Sequence, residues 1–153
     1  MNLDSFLPAE INAAFLWAQL EALESIQQKR LAIWNRYSDF FKTLESDIVR
    51  IPDIPCYATN NAHMFYMLLP DKISRDRFIL AMFESDIMAV FHYLPLHHSP
   101  FYHGKHDGRN LAWAISYSDR LVRLPLYCDL LKDEQERICR AASAVLGSLQ
   151  RVQ

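Results

Sequence analysis

The first third of the chain carries a long helical pattern that constrains how the rest can fold. From Pro8 to about Leu44, apolar residues recur at three- and four-residue intervals, the spacing of a helix with one buried face. In the first half, Leu16 and Trp17 lie off that face, and a helix that is apolar nearly all round is buried on every side. We therefore predict one long helix, or two that meet near Gln27 to Lys29, in a helical segment over residues 8–48.

The second part, over residues 60–150, alternates short aromatic-rich runs with helical ones after a proline-containing linker at Ile51–Asn61. The predicted strands are Ala62–Pro70, Ile87–Leu94 and Val122–Tyr127. The predicted helices are one capped by Ser74, a short one at Ser116–Leu121 capped by Ser116 or Ser118, and a last one at Lys132–Gln150. This order predicts a single α+β domain over residues 1–153, with about three mostly antiparallel strands, helices on one face, and a long connecting helix before them.

Composition excludes several classes of function. With 51% hydrophobic residues and 22% charged ones the chain is globular, and three glycines are too few for a glycine-rich phosphate loop. A net charge of -2 gives no reason to expect nucleic acid or an anionic membrane as partner. The apolar runs are shorter than a membrane span and the three cysteines are scattered, so we expect a cytoplasmic protein with reduced thiols.

A histidine-rich stretch, VFHYLPLHHSPFYHGKH, holds five of the six histidines of the chain. The stretch lacks an HExxH pair and the only nearby carboxylate is Asp107, so a metal site is not expected. We predict that His103 and His106 are solvated. His92, Tyr93 and His97 offer hydrogen bonds suited to hydroxyls or phosphates, and the residues alone leave the chemistry of such a ligand open.

Four blocks of the sequence carry a family resemblance: LPAEINAAFLWAQLEALESIQQKRLAIW, NAHMFYMLLP, IMAVFHYLPLHHSP and SDRLVRLPLY. In this order and spacing they resemble the C-terminal part of the DegT/DnrJ/EryC1/StrS nucleotide-sugar aminotransferases, which use pyridoxal phosphate. The chain is most similar to the transaminases of dTDP-4-oxo-6-deoxy-D-glucose, which serve surface polysaccharides such as enterobacterial common antigen and lipopolysaccharide. The resemblance implies the small C-terminal domain of the type I aminotransferase fold.

The resemblance also implies roles for particular residues. Ser5 would approach the cofactor phosphate of a neighbouring subunit, and the sugar nucleotide would be bordered by His92, Tyr93 and His97. Arg123 would either receive a carboxylate of the glutamate donor or form a surface salt bridge.

The lysine that binds the cofactor belongs to the family's large domain, and none of the five lysines here lies in its sequence context. We therefore expect the chain alone to bind no pyridoxal phosphate and to be inactive. Its expected partners are a dTDP-linked sugar and either a second copy or a separate large-domain chain. The alternative is a non-catalytic ligand-binding or protein-interaction module.

Overall fold

A computed structural model of the protein describes residues 8–44, 48–102 and 104–150. Within these residues five α-helices and three strands occur. They are α1 (Glu10–Glu21), α2 (Leu23–Lys42), β1 (Phe65–Leu68), α3 (Lys72–Glu84), β2 (Val90–Phe91), α4 (Ala112–Arg120), β3 (Leu121–Leu124) and α5 (Lys132–Gln150). The predicted Ser5 site and His103 lie outside the described residues.

The three strands form one antiparallel sheet in the order β1-β3-β2. In the register of β1 with β3, Phe65 lies opposite Leu124 and Met67 opposite Val122. All four side chains are buried, so this face of the sheet is the one that meets the helices. The predicted α+β domain with three antiparallel strands is confirmed.

Phe65 is the centre of an aromatic cluster between the sheet and α2. Its ring centroid lies 5.6 Å from that of Trp34, 5.2 Å from Tyr37 and 5.9 Å from Phe41. The buried Tyr37 hydroxyl donates a 2.9 Å hydrogen bond to the carbonyl of Pro125, which satisfies a polar group that would otherwise be costly to bury. Side chains of α3 and α5 complete the same core: Phe78, Met82, Ile138, Ala142 and Leu146.

Two buried polar side chains join the helices to the rest of the domain. Gln135 of α5 donates to the carbonyl of Ile33 at 2.7 Å and accepts from Arg36 Nε at 2.6 Å. Arg75 of α3 donates to the carbonyl of Ser118 at 3.1 Å, and its guanidinium lies over the ring of Phe91. Each is 6% exposed or less, and these partners offset the cost of burying it.

The first half of the helical segment differs from its prediction. All residues of α1 are exposed, including Phe15 at 70% and Trp17 at 66%, so the residues that the structure describes do not provide the expected burial on every side. The segment is two helices that meet at Ala22, not near Gln27 to Lys29. The N–H of Ala22 donates to the carbonyl of Gln19 at 3.2 Å, a bond of three-residue span that ends α1.

The predicted caps were wrong at two helices. Asp71, not Ser74, caps α3, because its carboxylate accepts a 2.7 Å bond from the Ser74 N–H. Helix α4 begins at Ala112, so Ser116 and Ser118 lie inside it.

The strands are also shorter than predicted. β3 ends at Leu124, where Pro125 has no N–H to continue the ladder. In the described part of the chain, no helix has the length and apolar character needed to cross a membrane.

Replacing Phe65 with alanine should be strongly destabilising, because it removes the ring that three others contact. We expect the free energy of unfolding to fall by about 3–5 kcal/mol, measured by urea denaturation. The matched control is Phe83→Ala on α3, where the ring is 69% exposed and the loss should stay within about 0.5 kcal/mol. Equal losses for the two variants would contradict this account of the core.

Candidate functional site

The end of β2 and the centre of β3 bring two of the predicted site residues together. Arg123 lies opposite Val90 in β2 and opposite Tyr66 in β1. Because side chains alternate along a strand, His92 projects to the same side as Val90. Arg123 Nη1 is 2.8 Å from His92 Nδ1. Since arginine has only donors, His92 Nδ1 accepts this bond and the imidazole carries its proton on Nε2.

The surroundings of His92 favour the neutral imidazole. Burial lowers its pKa below the usual 6.5, and the nearby charges of Arg123 and His63 lower it further. A neutral ring with Nε2–H directed away from Arg123 can donate a hydrogen bond to a hydroxyl or carbonyl oxygen of a ligand.

Arg123 keeps donor capacity beyond its bond to His92. Its Nε is buried and has no hydrogen-bond partner among the residues that the structure describes. The surface salt bridge considered for Arg123 is not formed with any described carboxylate. A partly buried guanidinium with an unused donor is suited to a carboxylate or phosphate of a ligand.

Tyr93 lies beside this pair but faces solvent. Its side chain is 65% exposed, and its ring centroid is 3.6 Å from that of His92. The carbonyl of Tyr93 accepts a 2.8 Å bond from the Ser118 hydroxyl of α4. The backbone is therefore anchored while the phenol is available to a ligand.

Sequence reasoning missed three residues around the pair. Tyr66 is the cross-strand neighbour of Arg123, and its pKa is raised by burial and then by Tyr117 of α4. Tyr117 is the second of these residues and His63 is the third. The carbonyl of His63 accepts a 2.6 Å hydrogen bond from Arg30 Nη2 of α2. The strand register, which places Tyr66 opposite Arg123, was the signal that could have identified the first of them.

His97 lies in a second histidine cluster. It is part of a short 3-10 turn at Leu96–His98, and its ring centroid is 4.3 Å from His98 and 5.0 Å from His106. Burial, followed by the two neighbouring histidines, lowers the pKa of His97. Among the described residues, no hydrogen bond or ring contact joins His97 to the His92–Arg123 pair.

The prediction that His106 is a solvated loop residue was wrong. Its side chain is only 21% exposed, because the ring packs beside His97. His106 Nδ1 accepts a 3.0 Å bond from the Gly108 N–H. Across residues 8–44, 48–102 and 104–150, no three histidine, cysteine, aspartate or glutamate side chains are grouped to hold a metal ion.

The lysines do not fit a covalent cofactor site beside His92 and Arg123. Four have other contacts: Lys29 with Asp129 at 3.6 Å, Lys72 with Asp76 at 3.1 Å, Lys132 with Glu136 at 3.9 Å, and Lys105 over the ring of Phe101 at 3.6 Å. The fifth, Lys42, is exposed at the end of α2. The contacts of these four lysines are with residues other than His92 and Arg123.

Comparison with known proteins gives a family match. The sequence model of the DegT/DnrJ/EryC1/StrS aminotransferase family matches residues 8–143.

Solved structures give the same fold. The aminotransferase TlmJ from Streptoalloteichus hindustanus is 25% identical, with a TM-score of 0.78 over 87% of this chain and 35% of that one. PseC of Helicobacter pylori, an aminotransferase of pseudoaminic acid biosynthesis, is 18% identical, with a TM-score of 0.80 over 97% of this chain and 43% of that one. The putative sugar aminotransferase Spr1654 from Streptococcus pneumoniae, in its apo form, is 21% identical, with a TM-score of 0.77 over 89% and 34%. The chain thus spans well under half the length of these structures.

The contact between Arg123 and His92 gives a prediction for proton affinity. In Arg123→Met the nearby charge and the bond to neutral Nδ1 are both lost, so the pKa of His92 should rise towards 6.5. An NMR pH titration of the His92 ring resonances measures this pKa. Arg137→Met, which removes an exposed arginine that donates to the carbonyl of Ser85, should leave the pKa of His92 unchanged. An unchanged value in Arg123→Met would argue against the contact.

Proposed function

The chain belongs to the DegT/DnrJ/EryC1/StrS aminotransferase family, and on that premise we propose that it forms one wall of a sugar-nucleotide site used in amino transfer. The observation that carries this proposal is the 2.8 Å contact between His92 and Arg123. A neutral hydrogen-bond donor beside a cation with a spare donor suits a ligand that carries both hydroxyls and an anionic group.

We assign the ligand groups by their chemistry. His92 Nε2–H and the Tyr93 phenol donate to oxygens of the sugar, and Arg123 receives a carboxylate of the amino donor in a two-bond contact. His97, in its separate cluster, borders the part of the ligand beyond the sugar.

The finer identity of the reaction rests on the resemblance of the four sequence blocks. The acceptor is a dTDP-linked 4-keto-6-deoxyhexose and the donor is L-glutamate. The product, dTDP-4-amino-4,6-dideoxygalactose, feeds surface polysaccharides such as enterobacterial common antigen and lipopolysaccharide, and the reaction takes place in the cytoplasm.

The cofactor is pyridoxal phosphate, which when bound supplies the electron sink for amino transfer. In the family the cofactor lysine belongs to the large domain, so the cofactor amine comes from outside the five lysines of this chain. Ser5 is assigned to the cofactor phosphate of a neighbouring subunit. The 153-residue chain alone neither binds the cofactor covalently nor transaminates.

The proposed partner is a protein whose surface covers helix α1. Phe15 and Trp17 expose more than half of their surface on a helix that has no buried residue, and such a patch favours association. In the absence of a separate large-domain chain, a second copy covers it. The alternative function, a non-catalytic interaction module, would use this same helix without the His92–Arg123 site.

The sugar-nucleotide proposal is tested with dTDP-glucose, a stable stand-in for the keto sugar. We expect its addition to the full chain to shift the His92 ring resonances in NMR. Arg123→Met should weaken binding several-fold, because the His92 ring loses the 2.8 Å contact that orients it towards the sugar and a neutral hydrogen bond is worth about 0.5–1.5 kcal/mol.

Arg137→Met is the matched control, since it removes an exposed arginine far along the chain from the site. It should bind dTDP-glucose as the parent chain does. If Arg123→Met and Arg137→Met bind dTDP-glucose equally well, the ligand does not bind at the His92–Arg123 pair. The non-catalytic interaction module then becomes the better description of the chain.

Self-association is tested by sedimentation. The full chain should form dimers in a concentration-dependent way. The double variant F15E/W17E should be a monomer, because burying two unpaired carboxylates in an apolar contact costs free energy. The control is Trp113→Glu, a change at a residue that is 79% exposed on α4. A parent chain that stays monomeric at high concentration would contradict the proposal for a second copy.

A further inference from the structure

A cleft between α2 and α5 takes no part in the proposed function. It has a volume of about 210 Å³ and is lined by Arg36 and Phe40 of α2 and by side chains of α5 between Lys132 and Arg140. We call it the helical cleft. The two helices cover the buried face of the sheet, whereas Arg123 projects from the other face. The helical cleft is therefore separate from the His92–Arg123 pair.

The floor of the helical cleft is apolar. Phe40 is half-buried beside Phe41, with 5.1 Å between the ring centroids, and Cys139 is 6% exposed. Burial, and then the charge of Glu136, raises the pKa of the Cys139 thiol to about 11. At neutral pH this thiol is protonated and packs as a small apolar group. Since an apolar cavity of about 150 Å³ can hold benzene, the cleft has room for one aromatic ring.

The buried side chain of Gln135 fixes Arg36 at the rim of the helical cleft. Gln135 is 2% exposed, and its amide nitrogen donates to the carbonyl of Ile33 at 2.7 Å. Its amide oxygen accepts a 2.6 Å bond from Arg36 Nε. The guanidinium is thus held by Nε, while no carboxylate of the described residues is within ion-pair distance of its two terminal nitrogens. These two nitrogens form the fork that binds a carboxylate with two bonds.

The rim of the helical cleft has more cations than carboxylates. Arg36, Lys132 and Arg140 face a single carboxylate in the lining, that of Glu136. Glu136 contacts Lys132, at 3.9 Å. Across residues 8–44, 48–102 and 104–150, no carboxylate forms an ion pair with Arg140. Two guanidinium charges therefore stay uncompensated at the opening of an apolar cleft.

We propose that the helical cleft binds a small organic carboxylate with an apolar body, such as an aromatic monocarboxylate. The ring of this ligand lies against Phe40 and Cys139, where it is removed from water. The carboxylate pairs with the terminal nitrogens of Arg36 and with Arg140. An inorganic anion would leave the floor uncovered, and a neutral aromatic molecule would leave both guanidiniums without a partner. This site does not depend on the proposed function, because it shares no residue with the sugar-nucleotide site.

Benzoate is the probe for the helical cleft, titrated into the full chain by calorimetry at fixed pH and ionic strength. Acetate lacks the ring and benzyl alcohol lacks the charge, so each should bind about 10-fold more weakly than benzoate or less tightly still. Acetate that binds as tightly as benzoate would reduce the cleft to a cationic surface, and benzyl alcohol that does so would reduce it to an apolar one. Either result, or no saturable binding of benzoate, would overturn the proposal.

Replacing Arg140 with methionine tests the role of the rim. Arg140→Met should weaken the Kd for benzoate by about 10-fold, because it removes a charge-assisted contact. The matched control is Arg137→Met, three positions earlier on α5, where the guanidinium donates to the carbonyl of Ser85. This control should leave the Kd unchanged. Both arginines are exposed, so both variants should fold, and equal effects of the two would contradict the proposed site.

NMR of the unmodified chain locates the bound benzoate. The Arg36 Nε–H group is held by Gln135, so its resonance should shift on saturation with benzoate, while the ring resonances of His92 stay in place. Saturation without a shift at Arg36 would contradict the assignment.

Competition separates this proposal from the sugar-nucleotide site. An excess of dTDP-glucose should not displace benzoate; displacement would place benzoate at the His92–Arg123 pair and overturn the proposal. If the chain binds benzoate at Arg36 but does not bind dTDP-glucose, the helical cleft stands and the sugar-nucleotide site is wrong. If it binds dTDP-glucose but not benzoate, the opposite holds.

Discussion

The pairing of β3 with both of its neighbours is the constraint on which the rest of the domain depends. β3 is the central strand, and the side chains on its two faces have different roles. Val122 and Leu124 face the core opposite Met67 and Phe65. Arg123, between them in sequence, faces the other way. A shift of one residue in this register would exchange the two faces. Core and candidate site would then be lost together.

Helices extend this division to the rest of the molecule. α2, α3 and α5 cover the buried face through large apolar side chains, while α4 runs directly into β3 and holds the loop after β2 through the bond from Ser118 to the Tyr93 carbonyl. The carbonyl of Ser118 also accepts a hydrogen bond from the buried Arg75. Ser118 thus links the site loop to α3, and the position of Tyr93 depends on packing beneath it.

The sequence predicted element types well because apolar spacing reports burial directly. The α+β order, the three strands and the last helix follow from spacing alone. The cap of α3 was misplaced because Asp71 and Ser74 are both good capping residues three positions apart. Only the position of the first helical turn decides between them. Spacing likewise marked α1 as apolar all round, but it could not say that the other described residues leave this helix exposed.

The candidate site was predicted only in part, for a related reason. His92, Tyr93 and Arg123 were identified from resemblance, yet their contact depends on strand register, which short strands such as Val90–Phe91 do not reveal. His97 was grouped with His92 because the family resemblance implies that both border the sugar nucleotide. The 3-10 turn at Leu96–His98 instead turns its ring towards His106. Sequence distance is a poor guide inside a loop whose side chains cluster.

The proton affinity of His92 follows from what occupies the site. Burial and the charge of Arg123 keep its pKa below 6.5, so in the unfolded chain this histidine takes up its proton first as the pH falls. The folded state therefore loses stability as the pH falls from 6.5 towards the lower folded pKa, and the loss stays constant at still lower pH. An anionic ligand on Arg123 would remove one cause of the lowering. The pKa of His92 would then rise when the anion is bound. Ligand binding would therefore be coupled to proton uptake at Nδ1, or to a stronger hydrogen bond at that atom.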